Sequence, residues 1–245
     1  MNTTTTTPAT TTPLISLKNI KRYFDDGLVC GLNGIDLDIP SGEILGIIGP
    51  SGSGKSTLLN IIGTLDFPTE GDYFLAHQKI TPQLNLDLLR ANSLGFIFQL
   101  HHLIPNLTLL ENVLLPTLSF KASRRERLEK AEKYLCQVGL KDRLHFLPTK
   151  VSGGQRQRAA IARALVNDPQ IILGDEPTGN LDSETGLKIM DLLQDLVQNQ
   201  KKTLVLVTHN PEIAERAHRV IQIVDGHIAK EWKGALSLLK KPVGL

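Results

Sequence analysis

Residues 49–57 read Gly-Pro-Ser-Gly-Ser-Gly-Lys-Ser-Thr, and no other segment limits the possible fold so severely. Glycines at 49, 52 and 54 let the backbone turn its N–H groups inward around an anion, a path that a Cβ resists. The apolar run Glu43 to Ile48 reads as a short strand, and a helix is expected from Lys55. The loop would then open onto a helix N-terminus, whose partial positive charge adds to the amide cup. This is the G-x4-G-K-[ST] pattern in the strand–loop–helix setting that its mechanism needs. Lys55 has the reach to neutralise β- and γ-phosphates, and the Ser56 hydroxyl suits Mg²⁺. Gly49, Pro50, Ser51, Gly52, Ser53, Gly54, Lys55, Ser56 and Thr57 are therefore the expected phosphate-binding residues.

Hydrolysis of a bound nucleotide also needs a metal ligand and a positioned water. The apolar run from Ile171 ends in Asp175 and Glu176. In a parallel sheet the ligand lies beyond the carboxyl ends of the strands. Asp175 would there hold Mg²⁺ and Glu176 would polarise the attacking water. An Asp-Glu pair alone is equally an exposed acidic turn; the phosphate loop is what gives it weight. Gln99 follows the strand-like run Leu94 to Phe98, and His209 follows Thr203 to Thr208. A lone Gln or His at a strand end is more often structural. Three strands ending in polar residues at one pocket favour contacts to metal, water and γ-phosphate instead.

The 245 residues suffice for one sizeable α/β domain. With 27 basic against 25 acidic residues, net +2, charge offers no argument for nucleic acid as a partner. Aromatics make up only 4%, so the core must be aliphatic. Cys30 and Cys136 lack metal-ligand spacing and read as partly buried thiols in a reducing compartment. No apolar run reaches the roughly 18–20 residues of a membrane helix, and no secretory signal is visible. A cytoplasmic chain is expected, with any membrane-spanning part on another chain. The threonine-rich residues 1–12 read as a disordered tail, 13–235 as a single domain and 236–245 as a C-terminal tail. Arg124 to Val138 has a helical apolar face, with Glu126–Lys130 and Glu129–Lys133 pairs on its other side. Asp225-Gly226 signals a hairpin. The order suggests a nucleotide-binding core with a helical insertion at about 89–165.

Ser152-Gly153-Gly154-Gln155 opens a helix, with Ser152 and Gln155 spaced as a capping box. The longer string VSGGQRQRAAIARAL, about 20 residues before the acidic pair and combined with the phosphate loop, resembles the signature of ATP-binding cassette (ABC) ATPases. The resemblance covers about Leu14 to Lys230. It implies an α/β fold: a P-loop NTPase (RecA-like) core with an antiparallel β subdomain and an inserted α-helical subdomain. It implies that Tyr23 stacks on the adenine of ATP, that Gln99, Glu176 and His209 are catalytic, and that Ser56, Gln99 and Asp175 hold Mg²⁺. It also implies an ATP-bound homodimer packed head to tail, in which Ser152, Gly153, Gly154 and Gln155 of one chain close over the γ-phosphate held by the other. Asp182 belongs to the Asn180-Leu181-Asp182 turn of that interface. Val151 and Gly174 depart from the usual leucine and alanine without removing a chemical group.

Phe96–Gln99, the following Leu100 to Thr108, Glu111-Asn112-Val113 and Gly179–Asp182 look like the lipoprotein-releasing and macrolide-export group. That resemblance implies a peripheral ATPase on the inner face of the cytoplasmic membrane, driving separate integral-membrane permease subunits. A regulatory ATPase such as the cell-division cassette is the alternative, because it uses a similar permease. An ABC ATPase of nucleic-acid maintenance would carry a coiled coil, a second cassette or a basic stripe. A groove along Leu100 to Glu111, with Leu103, Ile104 and Leu107 as anchors, is the expected permease dock; burial in the helical core is the competing fate of those leucines. His101-His102 reads poorly as a metal pair, since adjacent residues rarely chelate one ion.

Overall fold

The computed structural model describes residues 12–235; the rest of the threonine-rich segment and residues 236–245 lie outside the described residues. The chain enters through strands β1 (Ile15–Phe24) and β2 (Val29–Ile39), an antiparallel pair. On β2, Ile35, Leu37 and Ile39 are buried while Asp36 and Asp38 face solvent, the alternation expected of a strand with one wet face. β3 (Ile44–Ile48) is apolar throughout and almost wholly buried, as a strand covered on both faces should be. Helix α1 (Lys55–Ile62), β4 (Glu70–Leu75), β5 (Gln78–Lys79), α2 (Leu86–Ser93) and β6 (Leu94–Phe98) follow. Next come α3 (Leu109–Leu114), α4 (Arg124–Gln137) and α5 (Gly153–Leu165). The chain then alternates through β7 (Ile171–Asp175), α6 (Ser183–Gln200), β8 (Thr203–Val207) and α7 (Pro211–Glu215) before β9 (Arg219–Val224) and β10 (His227–Lys233).

Two sheets result. One is antiparallel, in the order β2-β1-β4-β5; the other has six strands, β10-β9-β3-β8-β7-β6, parallel from β9 to β6. β9 and β10 close on Asp225 and Gly226, both at positive φ (47° and 77°), the backbone that a tight hairpin turn demands. Ile15, Leu17, Leu58, Ile61, Val205 and Ile221 form the core between the two sheets. Leu109, Leu135, Leu165, Met190 and Leu206 belong to a second core, which joins the helices to the six-stranded sheet.

The span 89–165 is not wholly helical: β6 within it forms the edge of the parallel sheet. α5 packs on β6 at Gly95, where a Cβ would lie 2.4 Å from the Ala164 carbonyl oxygen. On α4 the charge pairing differs from expectation. Ser123 and Glu126 form a reciprocal cap, which draws Glu126 back to the helix start, and Glu129 is taken by Arg125 at 2.7 Å. Cys30 and Cys136 are both exposed rather than partly buried. Cys136 falls between the inward-facing Leu135 and Val138, on the outer side of α4.

Candidate nucleotide site

Parallel pairing brings the expected residues to one edge. Ile47 is opposite Val207, Val207 opposite Asp175, and Asp175 opposite Phe98. The loop after β3, His209 after β8, Asp175-Glu176 at the end of β7 and Gln99 after β6 therefore meet at the carboxyl ends of four adjacent strands.

The loop has the left-handed turns that its glycines permit: φ is 152° at Gly49, 76° at Gly52 and 105° at Gly54. A Cβ on Gly49 would lie 2.1 Å from the Ile223 carbonyl oxygen, and one on Gly54 would lie 2.3 Å from that of Gly31. Glycine is thus required twice over, for torsion and for space. Gly54 is the N-cap of α1, so Lys55, Ser56 and Thr57 form the first turn beneath the cup. Lys55 Nζ donates to the Pro50 carbonyl at 2.7 Å, across the loop. Ser53 Oγ is buried and lacks a hydrogen-bond partner. Tyr23 pairs with Cys30 on β2, next to the Gly31 that abuts Gly54, so it stands on the strand pair bordering the loop.

Burial first, and then the neighbouring Glu176, hold the Asp175 carboxyl above its ordinary value, although Lys55 pulls it down. Glu176 has φ 49°, and its N–H donates to the Val207 carbonyl at 3.0 Å. Its Oε2 lies 2.9 Å from His209 Nδ1, but the approach is off-line, which leaves that buried oxygen without a hydrogen-bond donor. Asp175, Ser56 and Gln99 offer a carboxylate, a hydroxyl and an amide oxygen, all hard donors. One carboxylate plus substrate phosphates is a typical Mg²⁺ environment, and the strained Asp175–Glu176 charge pair would be relieved by a cation. The residues present fit Mg²⁺. Among the described residues no group of three or more His, Cys, Asp and Glu could hold a metal.

Ser152 caps α5: its Oγ accepts from Gln155 N at 3.2 Å, and Ser152 N donates to Gln155 Oε1 at 2.9 Å. The Ser152–Gln155 turn lines its own groove with Asn180, Leu181, Asp182 and Thr185. Asp182 caps α6 by accepting from Thr185 N, a bond that holds its carboxyl below the usual range.

Sequence reasoning missed two features. Asn180 bonds reciprocally to Gln99 across 81 residues of chain; only its neighbourhood to Asp182 hinted at a role. The second is an apolar groove beside β6, lined by Leu65, Ala91, Phe96, Phe98, His102 and Pro116. Phe96 and Phe98 stack at 5.9 Å, and His102 lies 5.0 Å from Phe98. Two aromatics spaced by two on a strand share a face, a signal legible in the sequence. Of the anchors expected along Leu100 to Glu111, Leu107 is half-buried. Leu103 packs against the helical core, while Leu100 and Ile104 are 69% and 45% exposed.

The family model described as ABC transporter matches residues 32–179. The chain is 47% identical over 235 residues to the macrolide export ATP-binding/permease protein MacB of Haemophilus ducreyi, covering 94% of this chain and 34% of that one. It thus spans about a third of the MacB relatives it matches. It is 46% identical to the uncharacterized ABC transporter ATP-binding protein YvrO of Bacillus subtilis, covering 91% of this chain and 99% of that one. The structure superposes on the dimeric, post-hydrolysis ATP-binding cassette MJ0796 bound to ADP and Pi with a TM-score of 0.82 and 44% identity, over 89% of this chain and 98% of that one. This chain belongs to the ABC transporter family, as one of its ATP-binding and ATP-hydrolysing cassettes.

Proposed function

We propose that the chain works as an ATP-bound homodimer on the inner face of the cytoplasmic membrane. There it drives separate permease subunits of the macrolide-export or lipoprotein-releasing type. One observation carries the dimer. The phosphate loop, Asp175, Glu176, His209 and Gln99 share one edge of the sheet, whereas the Ser152–Gln155 turn lines a groove that none of them enters; Asp182 borders both that groove and the pocket of Glu176 and His209. A single chain therefore holds two half-sites, and two copies packed head to tail complete both.

In each completed site Tyr23 stacks on adenine and the residues from Gly49 to Thr57 wrap the phosphates, with Lys55 neutralising the β- and γ-groups. Ser56, Asp175 and Gln99 would hold Mg²⁺, which when bound offsets charge on the phosphates. Glu176 orients the water and receives its proton as the water oxygen bonds to the γ-phosphorus and the bridge to ADP breaks. His209, whose Nδ1 lies 2.9 Å from Glu176 Oε2, stands beside that carboxylate and reaches the γ-phosphate. Ser152–Gln155 and Asp182 of the other copy close the site.

None of the described helices is long and apolar enough to cross a membrane; in the proposed transporter the spanning part is the permease. The apolar groove beside β6 is its dock, one residue from Gln99. The MacB relatives combine ATP-binding and permease segments by name, which supports a permease partner here.

Complementation between variants tests the half-sites. Lys55→Ala and Ser152→Arg chains should each be inactive alone, the first through lost ATP affinity. Mixed, they should recover part of the ATPase activity, because one composite site is intact. Full activity of Ser152→Arg alone, or no recovery on mixing, contradicts the dimer.

A further inference from the structure

We infer that Asn180 is a positioning residue, which fixes the Gln99 amide with its oxygen turned to the cation site; this rests on the reading of Gln99 as a metal ligand. Asn180 Nδ2 donates to the Gln99 backbone carbonyl at 3.1 Å. That carbonyl can only accept, so the amide of Asn180 cannot be reversed without losing the bond. Its Oδ1, which can only accept, then faces the Gln99 side chain, and Gln99 Nε2 lies 3.4 Å from it. The long distance makes this a weak bond, yet its sense is set by the stronger one. With Nε2 turned to Asn180, Oε1 is the atom left for a cation. Metal ligands are commonly oriented in this way by a partner on their other atom, and losing the partner typically costs about 10–100-fold in metal affinity.

Gly179 supports the assignment independently. A Cβ there would lie 2.9 Å from Gln99 Nε2, so glycine leaves the space that the amide occupies. Its φ is not positive, so alanine at 179 would strain no torsion and would act by displacing the flexible end of Gln99. Asn180 also adjoins Asp182, placed above at the surface shared with the second copy. The same residue thus ties the cation ligand to the segment that meets the partner chain.

Mn²⁺ binding to the full chain with a non-hydrolysable ATP analogue, followed by electron paramagnetic resonance, reads the effect without turnover. Asn180→Ala and Gly179→Ala should each weaken Mn²⁺ binding about tenfold or more. Affinity for the analogue in the presence of a chelator should stay at the unsubstituted value. Gln99→Ala should weaken Mn²⁺ binding at least as much, and the Gln99→Ala/Asn180→Ala pair should add little to it. If Gln99→Ala leaves Mn²⁺ affinity unchanged, the ligand reading falls and takes this inference with it. If Gln99→Ala weakens it but Asn180→Ala does not, or if the two losses add in full, only the positioning role of Asn180 is overturned. A change confined to ATP-dependent dimerisation would overturn it as well.

Discussion

Asp175 and Glu176 are successive carboxylates at a strand end, and their environments set them apart. Asp175 ends β7 half-buried, its pKa raised first by burial and second by Glu176. An acid whose folded pKa exceeds its unfolded value contributes stability at pH below the unfolded value; that contribution is lost as pH rises through the folded value. The fold of the nucleotide-free chain therefore opposes the charged form of Asp175. Asp175→Asn should raise the thermal midpoint of the nucleotide-free chain at pH 7. The gain should shrink as pH falls toward the ordinary carboxylate value of 3.8. The same variant should lose Mg²⁺-dependent turnover, a trade of function for stability. A lower midpoint at pH 7 would contradict this account of the charge pair. Glu176 is held differently, by φ 49°. Left-handed torsion in a non-glycine residue costs on the order of 1–3 kcal/mol, and the bond to the Val207 carbonyl helps maintain it.

At the scale of elements, much was legible because local chemistry and tertiary role coincide. The Ser152–Gln155 capping box, the Asp225-Gly226 hairpin and the polar residues ending β6, β7 and β8 need no distant information to be read. The segment 100–111 resisted, because its course depends on partners remote in sequence or buried from view. Asn112, fully buried, accepts from Ile104 N at 2.7 Å and donates to the carbonyls of Ile104, Leu107 and Thr108. Arg163 on α5 donates to the His101 carbonyl at 2.7 Å from 62 residues away. These bonds wind the segment so that Leu103 turns inward while Ile104 stays exposed, and an apolar opening lies on the β6 side. Pairs on the exposed face of α4 were misjudged for a related reason. Glu126 has a backbone donor three residues back, and a cap outcompetes a solvated lysine. The dock is tested by Ala91→Glu, which places a charge inside the groove on a helix that tolerates glutamate. Co-purification with the permease from detergent-solubilised membranes should be lost. Leu100→Ser, at an exposed position outside that lining, should retain it. The opposite pattern would move the dock elsewhere.

For the whole molecule, the central point is that one chain separates chemistry from closure. The six-stranded sheet gathers the phosphate loop and the residues for water and metal, while α5 presents Ser152–Gln155 in another groove, with Asp182 at the start of α6 bordering both. The sequence pattern alone could list both sets. Only parallel register shows which of them share an edge. The proposed bridging of two copies by ATP rests on that division, and hydrolysis would release the pair. Glu176→Gln keeps the shape of the side chain while removing the base, and should slow hydrolysis at least ~10²-fold. With the nucleotide preserved, the two copies should stay joined. Light scattering of this variant, with and without Mg-ATP, is the most direct measurement. The account predicts twice the single-chain mass with Mg-ATP and the single-chain mass without it. A single-chain mass at saturating Mg-ATP would contradict it.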